Sequence, residues 1–339
     1  MSFHCKTAAA QGRHIRHLSC RSYYPIAGWL AFTFILSLGP SVPAVADCEV
    51  GKRIFVAELI LEDPCNDDEL LLAEPSVFPV GKDPSETEFN ISYQLSKRIT
   101  PNFGIEIAND WTNIHGPLGA KAGFGNLETN FRYEFLSDAK TETVLSTGLV
   151  VEWGGTGAES VGAQPFTTLT PTLYAGKGFN GLPDSIRFLR PFGITGSVAY
   201  SFPSESSTSE LDGRILTKTP NPQFFDWGIT VEYSMTYLKS MVVNLGLPEF
   251  FNHLVPLTEF SFETQVNDFN NEPRTTGVIG SGIAYHSKNF QFTVEARIPV
   301  NSSDGLGVIA ALHLHTETLF PNTLGRPVFG ASETKADED

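Results

Sequence analysis

Basic residues are scarce in this chain: 23 Lys and Arg stand against 38 Asp and Glu, a net charge of −15. That balance opposes nucleic-acid binding, which needs cations to neutralise phosphates. Charge of either sign is thin as well, at 18% of residues, low for a soluble protein of 339 residues. Long apolar runs are also missing. No stretch approaches the roughly 18 apolar residues that a membrane-spanning helix requires. Cysteine is limited to Cys5, Cys20, Cys48 and Cys65, and no C-x-x-C, H-E-x-x-H, G-x-S-x-G or P-loop occurs. Zinc-site, phosphate-cradle and nucleophile-elbow chemistry therefore have no sequence support, and no cofactor or metal is expected.

What is present begins with an export leader. Residues 1–46 carry Lys6, Arg13, Arg16 and Arg21 and no acid. Ile26–Leu38 is an apolar run too short to cross a bilayer comfortably, Pro40 and Pro43 break it, and Ala44-Val45-Ala46 fits the small-x-small cleavage rule. A signal peptide ending near Ala46 is expected. Its removal takes four of 23 basic residues and moves the net charge from −15 to −19. Cys5 and Cys20 leave with it. Cys48 and Cys65 remain, and an oxidising periplasm favours their pairing, worth about 3 kcal/mol for a short loop.

The dominant pattern after the leader is a period of two. In Phe224–Tyr237 one face carries Phe225, Trp227, Ile229, Val231, Tyr233, Met235 and Tyr237, while the other carries Asp226, Gly228, Thr230, Glu232, Ser234 and Thr236. Alternation of this kind marks an extended strand. Aromatic ends with an aliphatic middle fit a strand crossing a bilayer. Ten further segments repeat the pattern, starting near residues 89, 103, 127, 145, 166, 192, 260, 279, 290 and 306. Each is about ten residues long, as a tilted membrane strand requires.

The connections SKRITPN, SDAKT and HSKN are short, whereas 110–123, 154–165 and 203–223 are longer and rich in Gly, Ser and Pro. Short periplasmic turns and long outer loops are the asymmetry of outer-membrane barrels. Strand 88–95 then runs downward and requires an upward strand before it. Ile54–Leu61 and Leu70–Val80 are the candidates. The expected fold is all-β, an antiparallel transmembrane up-and-down barrel of about 12 strands, with 10 as the alternative count. Its divisions are a signal peptide (1–46), an acidic periplasmic segment that contributes a strand (47–86), the barrel (87–320) and an acidic tail (321–339). Phe320 keeps the outward parity of Leu312 and Leu314, which makes it a candidate internal assembly signal. A soluble sandwich or lipocalin-like barrel, with the aromatic face inward, is the competing fold.

Two stretches also carry a resemblance. GFGNLETNFRYEFL at 123–136 and FQFTVEARIPVNSSDGLGVIAALHLHTETLFPNTLGRPVF at 290–329 resemble the phenol meta-pathway family of outer-membrane transporters. The resemblance spans about residues 86–329. It implies a Gram-negative outer-membrane barrel and a transport role for small hydrophobic or aromatic compounds, and it brings no catalytic residues.

Candidate chemistry is otherwise distributed. On the face opposite the apolar one lie Glu106, Glu128, Glu134, Glu152, Asp226, Glu232, Glu259, Glu263 and Glu295, against Arg132 and Arg297. A lumen so lined concentrates cations, and Glu232, Glu259 and Glu263 are expected to form one acidic patch. His313 and His315 share the lumen face, where two imidazoles without a third ligand are ordinary polar residues rather than a metal site. His286-Ser287 falls in a turn, and neighbours in sequence point apart, so it makes no hydrolytic dyad. The expected partners are outer-membrane lipid and a small solute. An open channel is the leading functional reading. A barrel plugged by residues 47–86, structural or adhesive in role, is its rival, and a barrel lipid hydrolase comes behind both.

Overall fold

The computed structural model describes residues 48–81, 86–117, 119–212, 215–267 and 275–330. The leader and residues 331–339 lie outside that range. Twelve antiparallel strands close on themselves: β1 (Glu69–Val80), β2 (Glu86–Thr100), β3 (Phe103–Gly116), β4 (Leu127–Asp138), β5 (Thr143–Trp153), β6 (Thr168–Gly178), β7 (Phe192–Pro203), β8 (Phe224–Tyr233), β9 (Leu254–Gln265), β10 (Thr275–His286), β11 (Phe290–Val300) and β12 (Gly307–His315). Each pairs with its sequence neighbour, and β12 pairs with β1 to complete the ring. Closure leaves the twelve-stranded ring itself without a free edge. The count of twelve holds, and the strand preceding β2 is Glu69–Val80 rather than Ile54–Leu61.

The pleat decides what each side meets. Ile107, Leu149, Leu173, Ile229 and Val294 point outward and are exposed along the wall. Aromatic rings flank them, with Phe89 against Trp111 (6.4 Å between centroids) towards one end and Phe192 against Tyr233 (4.8 Å) towards the other. The inward residues are mostly polar and largely buried, among them Glu106, Arg132, Thr170, Thr195, Glu232, Glu259 and Glu295. Apolar outside and polar inside is the construction of a membrane-crossing barrel, and it excludes the soluble barrel, whose core would be apolar.

The loop asymmetry is partly as expected. At the base, where both described termini lie, residues 101–102, 139–142 and 287–289 make tight turns. The upper end carries 154–167 and the hairpin of Ser207–Asp212 with Ile215–Pro220. A short strand, Gly119–Phe124, extends the upper part of β3. Two basal connections, 179–191 and 234–253, are nevertheless long.

This last feature corrects the length of the Phe224–Tyr237 strand. The ladder ends at Tyr233, and the Ser234 hydroxyl accepts the Tyr237 amide (3.2 Å), capping a helical turn at Met235–Tyr237. Tyr237 is therefore buried inside the base rather than facing outward. Phe320 is corrected for the same reason. The β12 strand stops at His315, and Thr316–Leu319 is helical, so strand parity does not reach residue 320. The following segment folds back over the base, where the Val328 and Phe329 amides bond the carbonyls of Arg98 and Ile99.

The facing can be tested directly. Ile229→Arg puts a charge at mid-wall and is expected to destabilise the refolded barrel by about 2–4 kcal/mol in urea titrations in lipid vesicles. Ser197→Arg, one strand away on the inner face, is expected to cost less than about 1 kcal/mol. The reverse order would mean that the pleat is inverted.

Candidate functional site: a lassoed lumen

The segment between Cys48 and Glu69 is not a peripheral appendage. It enters the barrel from the base, rises to mid-lumen and returns. A short hairpin, Cys48–Val50 with Arg53–Phe55, starts it. Residues Phe55–Leu61 are all buried. Asp68 then lies at the base, its carboxylate held by Lys97 (2.6 Å) and Arg98 (3.0 Å) and its amide by Glu317 (3.0 Å). Cys48 and Cys65 are joined by a disulfide, which ties the two limbs of this lasso together below its tip. The segment expected to be periplasmic is thus a plug inside the lumen.

Irregular backbone within a barrel must find hydrogen-bond partners in the wall. The wall acids supply them. Glu259 accepts three consecutive amides, Leu59 on Oε1 (2.8 Å) and Ile60 and Leu61 on Oε2 (2.9 and 2.8 Å). Glu232 accepts the Val56 amide (3.1 Å). Gln291 clasps Ala57 from both sides, accepting its amide (3.1 Å) and donating to its carbonyl (2.6 Å). Bonds to a charged acceptor contribute about 1.5–3 kcal/mol each, more than neutral ones.

Shape follows the same logic. A Cβ on Gly228 would lie 2.4 Å from the Leu61 side chain, and one on Gly176 would lie 2.8 Å from Pro64. The inward glycines are where the wall yields space to the plug.

The lasso brings its own charges. Arg53, fully buried at the base, donates to the carbonyls of Arg190, Pro191 and Phe192 at 2.6–2.7 Å and stacks on the Tyr237 ring at 4.5 Å. The acids Glu142 (4.0 Å) and Glu232 (3.8 Å) flank it. Higher up, Glu62 pairs with Arg132 and accepts from Tyr174 (2.9 Å) and Asn130 (3.1 Å). Arg132 also donates to the carbonyls of Asp63 (2.9 Å) and Cys65 (2.8 Å). Thr195 donates to the carboxylate of Glu58, and Ser146 to the carbonyl of Pro64. A buried cation with several acceptors and an ion pair overcomes part of its desolvation cost.

The expected acidic lining is therefore divided. Glu232 and Glu259 hold the plug, and Glu263 does not join them: it lies opposite Asp226 in the β8–β9 ladder, near the upper end. Glu295 is buried beside the tip, where the added Cβ on Gly280 would meet both its carboxylate and the Ile60 side chain. Glu106 is buried on β3 opposite Asn130 of β4. Glu128 and Glu152 are half-buried partners in the β4–β5 ladder, Glu152 accepting from Asn126 (2.9 Å). Glu134 lies half-buried lower on β4. The three-residue patch of Glu232, Glu259 and Glu263 is not formed, because the strand register separates them and the plug takes two.

Above the tip a cavity of about 80 Å³ remains. Ile60, Leu61 and Glu62 of the lasso face it, together with Thr170, Thr172 and Ser197 of the wall. Asp226 and Glu263 line it too.

The histidines serve elsewhere. His313 pairs with Glu69, and His315 stacks on His286 at 5.3 Å, all at the base. The Ser287 hydroxyl donates to the Phe290 carbonyl (3.1 Å) within its turn. Among the described residues, the one grouping with ligand-like spacing is Cys48, Asp63 and Cys65, and both of its sulfurs are spent in the disulfide.

Sequence reasoning missed Arg53, Glu58, Glu62, Tyr174 and Gln291. The available signal was the pair Cys48 and Cys65 bracketing an apolar run, Ile54–Leu61, which is left over once Leu70–Val80 supplies the twelfth strand.

No protein-family model and no curated protein matches the chain. The resemblance to the phenol meta-pathway family thus rests on the quoted residues alone. Solved barrels of similar form include an outer-membrane channel from Pseudomonas putida F1 (TM-score 0.46, 8% identity, covering 75% of this chain and 96% of that one). The beta domain of the Bordetella autotransporter BrkA (0.44, 10%, 74% and 99%) and the NanC porin (0.42, 9%, 72% and 98%) are others. At such values they carry no assignment to this chain.

Glu259→Gln removes the charge and leaves one acceptor oxygen for three amides. Hydrogen exchange on the reconstituted protein is expected to show protection at Leu59–Leu61 falling by about 10–100-fold, since weakening one or two charged bonds costs about 1.5–3 kcal/mol. Glu263→Gln is expected to leave those amides unchanged.

Proposed function

We propose that this chain is an outer-membrane channel for small solutes, held closed by its own N-terminal lasso. One observation carries the reading: the obstruction is a single continuous segment fastened to an otherwise complete wall. Narrow barrels that are closed for good fill their lumen with side chains from the strands themselves. Here the wall instead keeps inward glycines and acids that fit a separate segment. The outer-membrane address follows from the export leader and from the lipid-compatible wall.

The solute reading follows from the upper cavity and from the family resemblance. Hydroxyls and carboxylates line the cavity, which suits neutral polar or cationic groups. The resemblance of residues 123–136 and 290–329 to the phenol meta-pathway family favours small aromatic compounds among these.

A second reading has its own support. The disulfide at the base favours a permanently plugged barrel with a structural or adhesive role.

Planar-bilayer recording separates the two. The full chain is expected to give little conductance. A variant lacking residues 48–66, shown to be folded by its heat-modifiable gel mobility, is expected to conduct stably and to prefer cations, because Glu232, Glu259 and Glu295 are then uncovered. A folded variant that stays silent would support the structural barrel. Orientation has its own check: an epitope tag at Ser207, in the upper hairpin, is expected to be reached by antibody on intact cells. Labelling only after the outer membrane is permeabilised would reverse the topology.

A further inference from the structure

The two long basal connections carry an apolar surface that the barrel does not use. Phe188 and Leu189 in the first, and Leu245, Leu247, Phe250 and Phe251 in the second, are all exposed, Phe250 at 58% and Leu245 at 55%. The segments are nonetheless anchored. Tyr237, Leu238 and Asn252 are buried beneath the second, and Thr236 donates to the Asn252 carbonyl (2.8 Å). Their exposed side chains are held in place with no core to enter. Water-facing phenylalanines at this density mark an interaction surface.

Position identifies what covers it. Phe250 stacks on Tyr285 at 5.3 Å, and Tyr285 on Phe290 at 5.9 Å. Tyr285 and Phe290 belong to the outer face of the wall, since the neighbouring Ala284 and Gln291 are fully buried inside. On the other connection, the outward Tyr233 donates its hydroxyl to the Phe188 carbonyl (3.2 Å). The exposed residues of both connections therefore continue the outward aromatic girdle, while Tyr237 and the carbonyls of Arg190 and Pro191 turn in to Arg53.

Cations sit beside the apolar groups. Arg187 lies 5.5 Å from the Phe188 ring, Lys239 pairs with Glu249, and Lys288 is exposed in the adjoining turn. Apolar side chains interleaved with cations, at the level where an aromatic girdle meets the interface, match a phospholipid leaflet: acyl carbons for the rings, anionic headgroups for the Lys and Arg.

We propose that 186–189 and 245–251 form a lipid-binding shelf that inserts into the periplasmic phospholipid leaflet. The shelf stands on one flank only, between β6 and β9, because the basal turns at 101–102, 139–142 and 287–289 are too short to build one. The proposal rests on the membrane reading of the wall, and the test separates the two.

Single nitroxide labels are placed through Phe250→Cys, Leu245→Cys, Ile229→Cys and Glu205→Cys. The proteins are reconstituted in phosphatidylethanolamine–phosphatidylglycerol vesicles, and collision with oxygen is compared with collision with a water-soluble nickel chelate. Glu205, in an upper loop, serves as the aqueous reference and Ile229 as the mid-wall reference. The shelf requires oxygen to be favoured at 250 and 245, with ratios nearer to that of 229 than of 205. Nickel favoured at 250 and 245 with oxygen favoured at 229 would overturn the shelf and leave the barrel in the membrane, turning this surface over to a protein partner. Nickel favoured at 229 as well would bring down the membrane reading itself.

Discussion

Everything inside this barrel depends on a carboxylate accepting backbone amides. Leu59, Ile60 and Leu61 turn three successive N–H groups onto Glu259, which satisfies all three at mid-lumen. An unpaired amide in such a place costs about 1–3 kcal/mol. The acid on the wall and the bend in the lasso are thus each the solution to the other's problem: one is a buried charge needing donors, the other a buried backbone needing an acceptor. Gln291 and Glu232 repeat the arrangement lower down with Ala57 and Val56.

That dependence explains why the interior is polar and still dense. A barrel whose outer face meets lipid has no hydrophobic core to stabilise it from within, so its inside is organised by hydrogen bonds and ion pairs. The apolar part of the lasso is used sparingly, with Phe55 beside the disulfide, Val56 against Val255 and Ala284, and Leu59 and Ile60 against Leu71, Val278 and Ile309. These small clusters give the plug shape, while the carboxylates give it register. The Cys48–Cys65 link restrains the loop before it enters and so lowers the conformational entropy lost on threading. Two of the acids that a bare lumen would present, Glu232 and Glu259, are here committed to the chain's own backbone.

The base of the barrel gathers several of the ion pairs and hydrogen bonds that tie the lasso and the C-terminal segment to the wall. Arg53 meets the carbonyls of 190–192, the Tyr237 ring and two acids. Asp68 meets Lys97 and Arg98, and the C-terminal segment folds over the ladder at Arg98 and Ile99. The two long basal connections owe part of their length to this work. They supply the groups that receive Arg53, and their remaining residues spread outward along the wall.

The wall was legible from residues alone because its rule is local. A period of two marks a strand with one apolar and one polar face, and its eleven repeats with one more strand before them give an even-numbered ring. Ile229 and Glu259 could be assigned to opposite faces without any structure. The interior was not legible, because its rule is a matching of distant parts. Nothing in the neighbourhood of Glu259 tells it from Glu263, four residues away on the same face; only the height of the lasso tip does. Tyr237 fits an outward strand position by parity, and a helical turn capped by Ser234 moves it inside. Cys48 and Cys65 announced a loop, but whether it hung below the barrel or threaded it depended on which unpaired amides met which carboxylates. That pairing exists only once the ring has closed.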